Sequence, residues 1–267
     1  VLSGIDLAPL GEELLAYTAR DPDDAAALLD MSILLQFKGR RDLALAMQGQ
    51  ALQLQRLYPV AGAGRRGALR LLAVMSPGDL MANTPIDCLI EDADVSLDLL
   101  YAAPGLPFPE RLPDHDVAMV AVAESDENRP VLQYLEQRLA RWPRPVINHP
   151  RRIAALSRDR MSRLLHEAPG IDMPAVVRVP RGTLAALAAG GLSPADLDGD
   201  LRYPVIVRPV GSHACHGLAR CTDALAMGDY LDASDADEFY ISAFRDYRNT
   251  DGRYRKYRIA LIGGQPF

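Results

Sequence analysis

Apolar residues recur at helical spacing in two successive stretches between positions 21 and 59. Ala25, Leu28, Leu29, Ile33 and Leu35 form the first; Leu43, Ala44, Met47, Ala51, Leu52, Leu54 and Leu57 form the second. Gly39 interrupts the pattern and Pro59 closes it, so the spacing predicts a helical hairpin whose first helix is capped by Asp21 or Asp23, with Pro22 in its opening turn. From position 69 the texture changes. Apolar runs at 69–75, 96–102, 117–122 and 146–148 read as strands, and the third is apolar at every position, as a strand buried on both faces would be. A turn at 76–79, a short helix or turn at 86–90 and an amphipathic helix at 128–142 fall between them. Strands alternating with helices predict a small parallel sheet. Ligands of such sheets gather at the carboxyl ends of the strands, which sets 76–79, 124–128 and 148–149 along one rim.

The last third reads as an α+β lobe. One helix is predicted over 150–167, a strand over 175–179 and a short helix over 183–189 that stops at Gly190 and Gly191. Val205, Ile206 and Val207 form a β-branched run closed by Arg208; Pro209 ends the ladder, and a small-residue loop from Gly211 to Gly217 leads into an antiparallel partner at 218–221. In the strand 238–244, Phe239, Ile241 and Ala243 alternate against Tyr240, Ser242 and Phe244. Residues 253–258 lead into a final strand at 259–262 and a turn at Gly263 and Gly264. The fold class is therefore α/β: a helical hairpin (1–66), a small parallel α/β domain (67–150) and a partial α+β lobe (151–267), with 62–67 as linker. Both ends read as cut, because Val1 is not an initiator methionine and the final hairpin has no complete return strand.

A formal net charge of −6 argues against a nucleic-acid protein, which usually carries a basic surplus. Three scattered cysteines, Cys88, Cys215 and Cys221, do not make a disulfide framework. Neither a signal peptide nor an apolar run of membrane-spanning length is present, so a cytoplasmic location is expected. Arg151, Arg152, Arg158, Arg160 and Arg163 are interrupted by Asp159 and Glu167, the pattern of a solvated helix face. The acidic residues Glu124, Asp126 and Glu127 suit a helix amino terminus, and His149 beside Pro150 suits a turn.

Arg208 is a fixed cation beside a loop of exposed backbone N–H groups, a combination that suits a polyphosphate; a plain hairpin with a surface arginine fits the local pattern equally well. His213, Cys215, His216 and Cys221 are zinc-type ligands, but their spacing matches no common site, and a loop capped by polar residues is the better reading.

The run from Val205 through Gly217 resembles the nucleotide-binding part of the ATP-grasp superfamily, of the glutathione synthetase and ribosomal-protein modification ligase type. The segment Val146, Ile147, Asn148, His149, Pro150, followed by Arg158, Asp159 and Arg160, is similar to a second stretch of that family. The resemblance implies that Arg208 and Arg160 stand where two lysines contact the phosphates of ATP. It further implies that Gly211, Ser212 and His213 open a loop over the nucleotide, and that Ser242, Ala243 and Phe244, with Arg245, form a hinge whose backbone pairs with adenine. Arg258 would face the acceptor and the transferred phosphoryl group. The implied chemistry is an acyl phosphate made from a carboxylate and ATP, then captured by an amine or thiol, with magnesium held by residues beyond Phe267. On this view residues 1–267 bind nucleotide and do not ligate. Arginine keeps the charge but not the geometry of lysine, which leaves room for a non-catalytic nucleotide-sensing or protein-interaction scaffold. Residues 20–60 resemble one tetratricopeptide unit, either packed on the next domain or left from a longer array, with a peptide partner as the sharper implication.

Overall fold

The computed structural model describes residues 6–60, 69–212, 216–257, 259–262 and 264–266. The chain divides into two compact units, Val1–Ser157 and Arg158–Phe267.

The first unit opens with α1 (Ala8–Arg20), α2 (Ala25–Phe37) and α3 (Arg41–Leu54). There follow β1 (Leu57–Pro59), β2 (Leu69–Met75), α4 (Ile86–Leu89), β3 (Val95–Tyr101), β4 (Val117–Val120), α5 (Arg129–Leu139), β5 (Val146–Ile147) and α6 (Pro150–Ile153). The cap of α2 is Asp24 rather than Asp21 or Asp23: its carboxylate accepts from the N–H groups of Ala26 and Ala27 at 3.1 and 3.0 Å. The third helix stops at Leu54, short of Pro59, because residues 57–59 pair antiparallel with β3 instead. Pro59, lacking an N–H, is tolerated there since β1 is an edge strand.

The sheet order is β1-β3-β2-β4-β5, parallel except for β1, so it is mixed and not wholly parallel. Alternation along β2 buries both faces. Leu71, Ala73 and Met75 meet Ala25, Leu28, Leu29, Ala51 and Leu52 of the helical pair. Val74, with Val120 and Val122, meets Val131, Leu132, Leu135 and Leu139 of α5. The helical pair and the sheet thus share one core.

The second unit holds α7 (Arg158–Leu165), β6 (Val176–Pro180), α8 (Arg181–Ala188), α9 (Pro194–Leu197), β7 (Val205–Pro209), β8 (Ala219–Cys221), α10 (Ala224–Asp232), β9 (Glu238–Ala243), β10 (Leu261–Ile262) and β11 (Gln265–Pro266). An antiparallel sheet of order β6-β9-β7-β8 packs one face on α8 and α10 through Val179, Val205, Val207, Phe239 and Ile241. The helix expected over 150–167 is two helices, α6 and α7. The first closes through the bonds Ala155 N–H to Arg152 and Leu156 N–H to Ile153, and the two are anchored to different cores, Ile153 beneath α5 and Ser162 against β6. The last strand, expected over 259–262, is Leu261–Ile262, and in the segment leading to it Arg255 pairs with Asp251.

Candidate functional site

In β7, Val205 and Val207 are fully buried against the helices, which turns Ile206 and Arg208 to the opposite face. Across the ladder from them stand Ser242 and Tyr240 of β9, and Arg178 of β6 continues the row and pairs with Glu238. This second face is mixed: Arg208, Ser242 and Arg178 share it with Ile206, Val176 and the buried Tyr240. The Arg208 guanidinium is folded back on its own turn: Nε donates to Ser212 Oγ at 3.1 Å, and Nη2 donates to Ser212 Oγ at 2.9 Å and to the Ser212 carbonyl. The same hydroxyl donates to the Pro209 carbonyl at 2.8 Å. Gly211 sits at φ 75°, a left-handed conformation that glycine adopts without strain. Gly217, at φ 62°, leaves no room for a side chain, since a Cβ would lie 2.9 Å from the Pro209 ring.

At the end of β9 the side chain of Ala243 is buried on the core face, so only its backbone is available to a ligand. The N–H of Ala243 bonds the Ala175 carbonyl at 3.4 Å and that of Phe244 bonds the Pro204 carbonyl at 3.3 Å, leaving Arg245 as the next N–H in line. The Arg220 guanidinium lies over the Phe244 ring at 4.1 Å, and Phe244, Tyr254 and Tyr247 form a chain of edge-on contacts.

Arg160 is exposed on α7. That helix is tied to the sheet by Ser162, which is 3 % exposed; its hydroxyl donates to the Pro174 carbonyl at 2.9 Å and accepts from the Val176 N–H at 3.0 Å. Val176 is the register partner of Ser242. His213 and Arg258 lie outside the described residues, as does Cys215. Cys221 is turned into the core, where burial and Asp223 raise its thiol pKa. Among the described residues no group of three His, Cys, Asp or Glu could hold a metal ion, and no helix is long and apolar enough to cross a membrane.

The rim foreseen in the first unit splits into two parts. Around β2 it is a closed polar lattice. Ser76 N–H and carbonyl exchange bonds with the Asn83 amide at 2.7 Å each, Ser76 Oγ reaches Asn128 Oδ1 at 3.1 Å, and Asn128 Nδ2 donates to the carbonyls of Ala82 and Ala123. Asp79 pairs with Arg41. These groups bind one another and hold the rim's shape. Past β4 and β5 the rim opens into a cleft of about 890 Å³ bordered by Glu124, Asn148, His149, Arg151 and Arg152. Asn148 takes the left-handed conformation at φ 55°, which asparagine tolerates better than most residues. His149 caps α6, its Nδ1 accepting from the Arg151 N–H at 3.4 Å, in line with the turn role expected of it.

No family model matches the chain, and no curated protein matches it. Solved structures that resemble it include an ATP-grasp RimK domain protein from Sphaerobacter thermophilus (17 % identity, TM-score 0.40). A D-alanine–D-alanine ligase from Bacillus anthracis complexed with ATP (14 %, 0.43) and a carboxyaminoimidazole ribonucleotide synthase from Aspergillus clavatus complexed with ATP (15 %, 0.43) are similar to the same extent. Each similarity covers 67 % of this chain and, in that order, 65, 57 and 48 % of the other. The chain therefore spans less than two thirds of these structures.

Proposed function

We propose that the chain is the ATP-binding portion of an ATP-dependent carboxylate–amine or carboxylate–thiol ligase that works through an acyl phosphate. The observation that carries this reading is the face of the β6-β9-β7-β8 sheet opposite Val205 and Val207. A half-buried cation, Arg208, stands there opposite Tyr240 and next to a left-handed glycine turn, with Ser242, near the end of β9, two register steps away. A guanidinium suits phosphate oxygens, because it presents parallel donors and stays charged. In this reading Arg208 leaves Ser212 to meet the phosphates, Arg160 supplies a second cation, Gly211, Ser212 and His213 close over them, and the adenine edge is read at Ser242, Ala243 and Phe244, with the Arg245 N–H as donor. Arg258 faces the acceptor. Magnesium, when bound, neutralises phosphate charge; its ligands would come from outside the described residues. The residues to 267 bind nucleotide and do not ligate by themselves.

A second reading is favoured by one observation: the Arg208 side chain is already engaged by Ser212 in three hydrogen bonds. A chain in which that contact persists would be a non-catalytic scaffold, with the helical pair, similar to a tetratricopeptide unit, as its protein-binding element. Amide chemical-shift mapping with ATP separates the two. Saturable changes in β7, β9 and 243–245 support the first; a spectrum unchanged by millimolar ATP contradicts it.

A further inference from the structure

The alternation along β8 is set by Cys221, which is turned into the core. Arg220, the register partner of Ile206, therefore points to the other face and is exposed there. Five arginines of the second unit, Arg163, Arg178, Arg245, Arg248 and Arg255, each hold a carboxylate. Among the described residues Arg220 has no ion-pair or side-chain hydrogen-bond partner. Its guanidinium lies over the Phe244 ring instead, 4.1 Å from the centroid, whereas the other cations over rings stand 5.2 to 5.9 Å away. Attraction between a cation and the negative face of a ring strengthens as the two approach.

Phe244 is the first residue beyond β9, and backbone bonds hold that segment loosely. The Phe244 N–H reaches the Pro204 carbonyl at 3.3 Å and the Ala243 N–H reaches the Ala175 carbonyl at 3.4 Å, both longer than the usual N–H···O bond. The ring is gripped better: Arg220 lies over it, and Tyr254 meets it at 6.4 Å with the planes 71° apart.

We infer that Arg220 is a positioning residue: by holding the Phe244 ring from β8, two strands away in the sheet, it fixes the course of residues 243–245. The Arg245 N–H that would read the base is fixed with them. Arg220 acts through Phe244 and not on the phosphates, which fall to Arg208. The consequence for ATP rests on the nucleotide reading; the pinning of 243–245 does not.

The test compares wild type, Arg220→Gln and Arg220→Lys in the whole chain. Amide hydrogen exchange at Ala243 and Phe244 is measured without ligand, and affinities are measured for ATP and for inorganic tripolyphosphate, which has no base. Arg220 is exposed, and protection at Val207 and Ile241 checks that the sheet stays folded. In Arg220→Gln the two amides should exchange several-fold faster and ATP should bind roughly threefold more weakly, with tripolyphosphate binding unchanged. Arg220→Lys, which keeps a cation for the ring, should lie closer to wild type in both measurements. Unchanged exchange or unchanged ATP affinity in Arg220→Gln would overturn the assignment. An equal loss for ATP and tripolyphosphate would overturn it too, by making Arg220 a general attractor of anions. A wild-type chain that binds neither ligand would remove the nucleotide reading, and exchange alone would then decide whether Arg220 holds the segment.

Discussion

Gln48 and Gly78 exchange two hydrogen bonds across the first unit: the Gly78 N–H donates to Gln48 Oε1 at 2.7 Å, and Gln48 Nε2 donates to the Gly78 carbonyl at 2.9 Å. Gln36 adds a third bond, accepting from the Leu80 N–H at 2.7 Å. The two long helices are thereby fixed to the turn at the end of β2, the turn that begins the polar lattice of the rim. Gln48 is 6 % exposed, so its loss strands a peptide N–H and carbonyl with little access to water. Gln48→Ala should destabilise the first unit by about 2 kcal/mol in urea unfolding. Gly78→Ala should do comparable harm for a different reason, because φ is 148° and a Cβ would lie 2.7 Å from that of Ala82. Wild-type stability in both variants would show that the clamp is ornamental.

Ser162 is the corresponding clamp in the second unit. Its buried hydroxyl satisfies both the Pro174 carbonyl and the Val176 N–H, so Ser162→Ala leaves two backbone groups unpaired at the start of β6. A loss of about 1–3 kcal/mol is expected, read by denaturant unfolding. Rescue by Ser162→Thr, which keeps the hydroxyl, would tie the loss to the hydrogen bonds and not to volume.

Alkali should unfold the first unit through Tyr58 and Tyr101, whose rings meet edge-on at 6.0 Å in the core. Burial pushes both phenols up to about 12 from 10.0. A folded pKa raised above the unfolded one gives stability that is complete below pH 10 and is lost as pH rises through 12. In Tyr58→Phe the decline between pH 10 and 12 should be shallower, although the hydrogen bonds from the phenol to the Ala51 and Gln55 carbonyls are gone. An unchanged slope would show that other groups set the alkaline limit.

Acid acts on the opposite end of the sheet. Hydrogen bonds from the Arg70 side chain, and then from its backbone N–H, hold the Asp116 carboxyl down at about 2 against an ordinary 3.8. The sign is reversed here: a depressed pKa gives stability that is present above about pH 4 and is lost as pH falls toward 2. Asp116→Asn should flatten that part of the stability profile, measured by thermal unfolding across the same window. A profile identical to wild type would remove the pair from the account.

What could be read in advance follows from where the physics was local. The strand β7 was legible as a β-branched run and β9 as an alternation that sets Phe239, Ile241 and Ala243 on one face, which in the structure is the core face. The edge strand β1 was not, since its three residues end in proline and gain their identity only from pairing with Leu99 and Leu100. The break between α6 and α7 has no local signal for a similar reason: arginines dominate the whole segment, and the two anchors, Ile153 and Ser162, lie in cores assembled from distant residues.

For the candidate sites, Arg208 was visible as the one cation closing an apolar strand. The strand-end rule located Asn148, His149 and Glu124, and Arg151 and Arg152 are exposed, as the charge pattern of a solvated face implies.

The most direct measurement is the ATP affinity of the wild-type chain and of Arg208→Ala, determined side by side by calorimetry. If Arg208 leaves Ser212 to hold phosphate oxygens, the variant should bind roughly tenfold more weakly or worse, the loss of at least one charge-assisted hydrogen bond. Identical affinities in the two proteins would contradict the nucleotide assignment.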